Sequence, residues 1–90
     1  MAEKGWEKLE EQLAEIDWPE TYMFKFISPN DQHKMALLEK LFNHDTSKIS
    51  YKSSRNGNYI SFTATEMMLS ADAVIDRYKK AGEIEGLIAL

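Results

Sequence analysis

The stretch that decides the fold is KISYKSSRNGNYISFTAT, residues 48–65. On both sides of its centre the residues alternate between apolar and polar, which is the pattern of a β-strand with one buried face. Between the halves stands Asn56-Gly57, a strong hairpin signal, because both residues tolerate the positive φ angles of a type I′ turn. The residues expected to face the core are Ile49, Tyr51, Ile60, Phe62 and Ala64, and those expected to face outward are Ser50, Lys52, Tyr59, Ser61, Thr63 and Thr65.

Upstream, residues 22–28 predict another strand, YMFKFIS. Its aromatic residues Tyr22, Phe24 and Phe26 are expected on the core side, and Met23, Lys25 and Ile27 on the other side.

The segment Ser28-Pro29-Asn30-Asp31 then predicts a helix start. Ser28 is the expected N-cap, Pro29 takes the first helical position, and Asp31 complements the positive end of the helix dipole. Apolar residues at helical spacing follow, and they are expected to pack one face of this helix on the sheet: Met35, Leu37, Leu38, Leu41 and Phe42.

Downstream of the hairpin, Ser70 is the expected N-cap of a second helix, whose apolar stripe is Ala71, Val74, Ile75 and Tyr78. Gly82 is expected to end this helix in the left-handed conformation. A final strand is predicted over Glu85 to Leu90.

The first residues predict a further, acidic amphipathic helix from about Gly5 to Asp17. Its stripe is Trp6, Leu9, Leu13 and Ile16, and Trp18-Pro19 stops it. Docking on its own domain is favoured over docking on a partner, because such a short helix is marginal in water without packing.

Together these elements predict an α+β fold of the ferredoxin-like βαββαβ type. We expect a four-stranded antiparallel sheet with two helices on one face, the first and third strands central, and an extra N-terminal helix. The other sheet face is left open or is covered by that helix. The organisation is an N-terminal helix over residues 1–17 and the βαββαβ domain over residues 18–90.

Composition narrows the function classes. The 90 residues suffice for one core, and the chain contains no cysteine. Residues 1–17 hold six acids and two lysines, which accounts for the whole net charge of −4, so residues 18–90 are neutral and carry no global nucleic-acid footprint. The acidic N-terminus is unlike a signal peptide and no apolar run spans a bilayer, so a cytoplasmic protein without membrane association is expected.

Residues 18–90 resemble the YbeD-like family of small bacterial proteins, which has an ACT-like, ferredoxin-related fold. The resemblance lies in YMFKFI, YKSSRNGNYISFTAT and the ending RYKKAGEIEGLIAL. It implies a non-enzymatic regulatory domain, and it implies no catalytic residue and no cofactor.

The hairpin segment is the candidate site: Lys52, Ser53, Ser54, Arg55, Asn56, Gly57 and Tyr59. Arg55 can bind a phosphate or carboxylate bidentately, and turn amides can form an anion nest. The alternative is that a hairpin turn needs such polar residues regardless of function. His33 and His44 lack a zinc-ligand spacing, so no metal site is predicted.

The sequence therefore predicts a non-enzymatic regulatory or protein-interaction module for a partner protein or a small anionic ligand. The alternative is an RNA-associated protein that uses an open face bearing Lys25, Lys52, Tyr59, Ser61 and Thr63, although one aromatic residue is fewer than such proteins carry. A homodimer through the apolar edge Leu87 to Leu90 is a further hypothesis.

Overall fold

The computed structural model describes residues 2–90, and side chains from Trp6 onward. Met1, which begins the predicted segment 1–17, and the side chains of Glu3 and Lys4 lie outside the described part. The elements in chain order are α1 Ala2–Leu13, β1 Glu20–Pro29, α2 Gln32–Glu39, β2 Lys48–Ser53, β3 Tyr59–Met68, α3 Ala71–Ala81 and β4 Ile88–Ala89.

The strands form one four-stranded antiparallel sheet in the order β2-β3-β1-β4, so β1 and β3 are central. The predicted α+β fold with a four-stranded antiparallel sheet is therefore confirmed. Helices α2 and α3 cover the inner face of the sheet, which carries the buried Phe24, Phe26 and Phe62. This arrangement buries the phenylalanines of the two central strands in one core.

The N-terminal helix α1 belongs to the same layer as the other helices. It packs against α3, and the ring of Trp6 lies 6.2 Å from that of Tyr78, which in turn contacts Phe24 and Phe26. Leu13 is buried in the common core. The second sheet face was expected either to stay open or to be covered by this helix. Coverage by the helix is wrong, because α1 lies on the inner side.

Helix α1 also ends earlier than predicted, at Leu13 rather than Asp17. Beyond it, Ile16 donates its amide to the Leu13 carbonyl at 3.1 Å, and the indole Nε1 of Trp18 donates to the same carbonyl at 3.2 Å. The tight turn keeps Ile16 partly buried against the core, so the last member of the predicted stripe packs without being helical.

The hairpin has the predicted faces. Ile49 lies opposite Ala64 and Tyr51 opposite Phe62, on the inner side. Tyr51 stays half exposed because β2 is an edge strand, and its ring centroid is 5.5 Å from that of Phe62. Partial burial, together with the hydrogen bond that its hydroxyl donates to the Glu39 carboxylate, raises the pKa of Tyr51 to about 12.

The turn of the hairpin differs from the prediction. A type I′ turn needs positive φ at both Asn56 and Gly57, but only Gly57 has it, with φ +77°. The β-turn instead runs from Ser54 to Gly57, closed by the Gly57 amide donating to the Ser54 carbonyl at 3.0 Å. Since β2 ends at Ser53 and β3 begins at Tyr59, the five-residue loop gives Asn56 room to keep a negative φ.

The start of α2 is a second correction. Ser28 is a fully buried residue of β1, and the strand continues through Pro29. The N-cap is Asp31, whose carboxylate accepts from the amides of His33 and Lys34 at 2.8 and 3.2 Å. Those amide hydrogen bonds lower the pKa of Asp31. Pairing of Ser28 with Ile60 in the sheet outweighs its local capping preference.

The C-terminal segment follows the prediction in part. Ser70 caps α3 by accepting from the Ala73 amide at 3.1 Å, and Val74, Ile75 and Tyr78 are buried as expected. Gly82, however, has φ −64°, so its expected left-handed conformation is wrong. The chain turns instead at Gly86, with φ +82°, and this turn leaves only Ile88–Ala89 for β4, shorter than the predicted strand from Glu85 to Leu90.

The inner layer contains an ion pair that the sequence did not predict. Glu66, on β3, is nearly buried and accepts two hydrogen bonds of 3.1 Å from the guanidinium of Arg77. It also accepts from the hydroxyl of Ser47 and the amide of Asn43, which ties the α2–β2 loop to the sheet. Burial raises the pKa of Glu66, but these hydrogen bonds outweigh it and leave the pKa lowered.

Candidate binding face

The second face of the sheet is uncovered, and we call it the open face. It consists of the strand residues that alternate with the buried ones: Thr21, Met23, Lys25, Ile27 and Pro29 of β1, Lys48, Ser50 and Lys52 of β2, Tyr59, Ser61, Thr63, Thr65 and Met67 of β3, and Ile88 of β4. These fourteen positions of the described strands include three lysines and no acid. In a chain with a net charge of −4, the open face is thus positively charged.

The lysines of the open face form no ion pair with the residues that the structure describes. The ion pairs within the described part of the chain are Arg77–Glu66 and the exposed pair Lys80–Asp76, both of which belong to the helical side. Lys25, Lys48 and Lys52 form none. All three are exposed, so their charges are directed to solvent.

Two of these lysines flank a shallow depression of about 290 Å³. Lys25 on β1 and Lys52 on β2 lie on either side of β3, opposite Thr63 and Ser61 respectively. Two ammonium groups beside a row of hydroxyls supply hydrogen-bond donors, and no acidic side chain lines the depression, which suits an anionic group. The hydroxyl that completes the row from β2 is Ser50.

The predicted hairpin site is separated by the structure into two groups. Ser54, Asn56 and Gly57 stabilise the turn itself. The Ser54 hydroxyl accepts from the Tyr59 amide at 3.1 Å and donates to Asn56 Oδ1, which also accepts from the Asn58 amide. The turn amides of residues 57–59 are thus bonded within the hairpin and are not directed toward a ligand.

The other predicted residues have different surroundings. Lys52 belongs to the open face, whereas Ser53 pairs with Ile60 and has the inner orientation. Arg55 is exposed at the tip and makes no hydrogen bond or ion pair with the described residues. Tyr59 is half exposed at the hairpin end of the open face and does not line the depression. The anion-binding role of this segment stays a prediction.

The sequence predicts Lys25, Lys52, Tyr59, Ser61 and Thr63 on one sheet face, and the structure brings all of these but Tyr59 around the depression. That predicted set lacks Lys48 and Thr65, which lie opposite each other at the far end of β2. The alternation of residues 48–65 already indicates that both side chains face away from the core. What the alternation does not contain is the strand order, which decides that the lysines of β1 and β2 share one surface.

A larger crevice of about 410 Å³ lies between α1, α3 and the β1–β4 edge. Its walls include Trp6, Leu9 and Leu87, and none of its lining residues is charged. The hydroxyls of Tyr22 and Tyr78 are hydrogen bonded at 3.1 Å, and burial together with this bond raises the pKa of Tyr78. The crevice marks the line along which α1 docks on the core.

The histidines and the acids form no metal-binding cluster within the described residues. His33 and His44 are both exposed, and they lie on α2 and in the loop that follows it. None of the described helices is long and apolar enough to cross a membrane.

A comparison with family models matches residues 14–90 to a family described as a protein of unknown function, DUF493. The chain belongs to this family. The resemblance to the YbeD-like family agrees with the match. No curated protein and no solved structure matches the chain.

The residues matched by the DUF493 family include the whole open face with its depression, but only part of the crevice. The match begins directly after α1, so every residue of the open face lies inside it. The crevice, in contrast, is built in part by Trp6, Leu9 and Gln12, which precede the match. The open face is therefore the candidate site that belongs to the family domain itself.

Proposed function

We propose that the protein is a non-enzymatic interaction module that binds an acidic partner protein through the open face. The observation that supports this most is the segregation of charge: three lysines and no acid on one sheet face of a chain that is negative as a whole. Complementary charge accelerates association and selects among partners.

Binding is favoured over catalysis by the surroundings of the titratable groups. Each group with a shifted pKa in the described chain has a structural partner: Asp31 caps α2, Glu66 pairs with Arg77, and Tyr51 and Tyr78 bond to neighbouring side chains. Catalytic groups with shifted pKa values typically converge in a cleft. These four are dispersed over separate elements of the fold.

A nucleic-acid partner is the alternative, and the open face supports it less. Proteins that bind single-stranded RNA on a sheet stack bases on two or three aromatic side chains of the central strands. The central open-face positions here are Lys25, Ser61, Thr63 and Thr65, and Tyr59 stands at the hairpin end. A small anion in the depression would use Lys25 and Lys52 and is compatible with the same surface.

Self-association through the C-terminal edge also has little support. β4 comprises two residues, with Leu90 adding one backbone hydrogen bond of 2.9 Å to the Lys25 carbonyl. A strand of this length offers few free backbone groups to a second copy.

The test uses fluorescently labelled poly-L-glutamate and oligouridine of equal length, titrated with the full chain. Changing Lys25 and Lys52 together to Gln should weaken polyglutamate binding about tenfold or more at low salt, because two contributing charges are lost. The matched control changes Lys40 and Lys79, both exposed and remote from the open face, to Gln, and should change affinity less than about twofold.

Equal weakening by both double variants would contradict the proposal, since binding would then follow net charge alone. Tighter binding of oligouridine, lost steeply with added salt, would favour the nucleic-acid alternative.

A further inference from the structure

The chemical character of the open face changes from its β4 edge to its β2 edge. Its β4 side is apolar, because Ile88 is 53% exposed and stands opposite Ile27, and Leu90, at 67%, follows it. Its β2 side carries Lys48 and Lys52 with Ser50 between them. The open face is thus amphipathic across the strands, with the hydroxyls of β3 and Lys25 of β1 between the two halves.

The width of this pattern matches one α-helix. From β2 to β4 there are three strand spacings, or about 14 Å, whereas a helix with its side chains is about 10–12 Å across. A helix lying along the strands therefore reaches the apolar residues with one side and the lysines with the other. An added β-strand does not fit this surface, because strands pair with the edge of a sheet and not with its face.

The length is set by β2, which has six residues and is about 20 Å long. At a rise of about 1.5 Å per residue, a helix of about 13 residues covers it. Its acids must line one side, toward Lys48 and Lys52, and its apolar residues must line the side toward Ile88. Lysine or arginine on the first side would face like charge at short range.

The chain itself contains an acidic amphipathic helix, α1, which exposes Glu7, Glu10 and Glu11. A second copy cannot supply it in the docked form, because its apolar stripe is already packed on α3, with Trp6 against Tyr78 and Leu13 buried. The helix that the open face accommodates must have a free apolar side. It therefore comes from another protein.

We propose that the open face binds an acidic amphipathic α-helix of a partner protein, lying along the strands with its apolar side on Ile88 and Leu90 and its carboxylates toward Lys48 and Lys52. This inference rests on the proposed function and specifies the structure of the acidic partner. It also distinguishes the two halves of the open face, which acidic charge alone does not.

The experiment compares two synthetic peptides of about 14 residues and identical leucine, alanine and glutamate composition. In the first peptide, leucines and glutamates occupy opposite sides of a helix, and in the second their order is scrambled. Titration of the labelled peptides with the full chain should give at least about tenfold tighter binding of the amphipathic peptide, because only this peptide fills both halves of the open face at once.

Two variants of the chain separate the halves. Ile88→Asn should weaken the amphipathic peptide about fivefold or more and leave the scrambled peptide within about twofold, since the apolar half contributes only to the former. Lys48→Gln with Lys52→Gln should weaken both peptides, and Lys40→Gln with Lys79→Gln neither. Circular dichroism of the mixture should show a gain of helix for the amphipathic peptide.

Equal affinity for the two peptides, together with polyglutamate binding that depends on Lys25 and Lys52, would overturn the helix and leave the acidic partner in place. Failure of both peptides and of polyglutamate would overturn the proposed function as well. Chain dimers that form without peptide and dissociate after Ile88→Asn would show that a second copy occupies the open face, which also overturns the inference.

Discussion

The two faces of the sheet are formed by alternate residues of the same strands, and they differ in whether their charged side chains form ion pairs. On the inner face, Glu66 is buried and accepts hydrogen bonds from Arg77, Ser47 and Asn43. The guanidinium of Arg77 is also 4.8 Å from the ring centroid of Phe42. On the open face, Lys25 and Lys52 are exposed and form no ion pair with the described residues.

This difference distinguishes structural charge from available charge. A buried ion pair is retained because removing either partner leaves the other desolvated without compensation. An exposed lysine that forms no ion pair contributes little to folding, so its interaction energy remains available for another molecule. We therefore expect the inner-face residues to control stability and the open-face residues to control binding.

The largest expected effect comes from neighbouring residues of β1. Phe24→Ala should lower the free energy of unfolding by about 3–5 kcal/mol, because Phe24 is fully buried against Phe42 and Tyr78. Met23→Ala, one residue away on the open face and 56% exposed, should change it by less than about 0.5 kcal/mol. Urea denaturation of both variants measures the contrast, and similar losses would show that the open face is covered in solution.

The second largest loss of stability is expected for the buried carboxylate of Glu66. Glu66→Gln should cost about 3 kcal/mol of unfolding free energy, because the Arg77 guanidinium then lacks its counter-charge in a mostly buried position. The control is Asp76→Asn, which breaks the exposed pair with Lys80 and should cost no more than about 0.5 kcal/mol. A neutral Glu66→Gln would mean that the Glu66–Arg77 pair is solvated.

The pH dependence of stability should show the same pair. The folded pKa of Glu66 is lowered, so its contribution is fully present above the unfolded value of about 4.3 and is lost as the pH falls through the folded pKa. The difference in unfolding free energy between the wild type and Glu66→Gln should therefore be constant near neutral pH and shrink in acid. Denaturant titrations at several pH values check this, and a difference that grew in acid would contradict it.

The smallest expected effect is on the open face. Changing Lys25 and Lys52 to Gln should leave the unfolding free energy within about 0.5 kcal/mol, because neither lysine forms an ion pair in the described chain. A thermal melt beside the binding titration measures both properties in the same variant. A large loss of stability would assign these lysines a structural role.

Local patterns predicted the strands well and their ends poorly. The alternation in residues 48–65 placed Phe62 and Ala64 inward, as observed. Ser28 and Gly82, in contrast, were given the terminal roles that their residue types favour, and both were wrong because the termini depend on neighbours. Ser28 is held in the sheet opposite Ile60, and Gly82 has a right-handed conformation while the positive φ occurs at Gly86.

The candidate site was likewise predictable only in part. Residue alternation and an assumed strand order predicted the shared face of Lys25, Lys52, Ser61 and Thr63. Alternation suffices to assign each side chain to a face, because successive residues of a strand point to opposite faces. The hydrogen bonding of Ser54 and Asn56 within the turn did not follow, because hydroxyl and amide side chains suit an anion and a turn equally well. Only the tertiary structure shows that these side chains bind within the turn.

The sequence alone determined which residues each strand turns inward and which helices have an apolar side, because these depend on periods of two and 3.6 residues within one segment. The tertiary structure decided everything that joins distant segments. It placed α1 beside α3 and left the open face uncovered, it brought Glu66 to Arg77, and it shortened β4 to two residues. Such contacts depend on the order of the strands and on the path of the chain between them, which no local repeat contains.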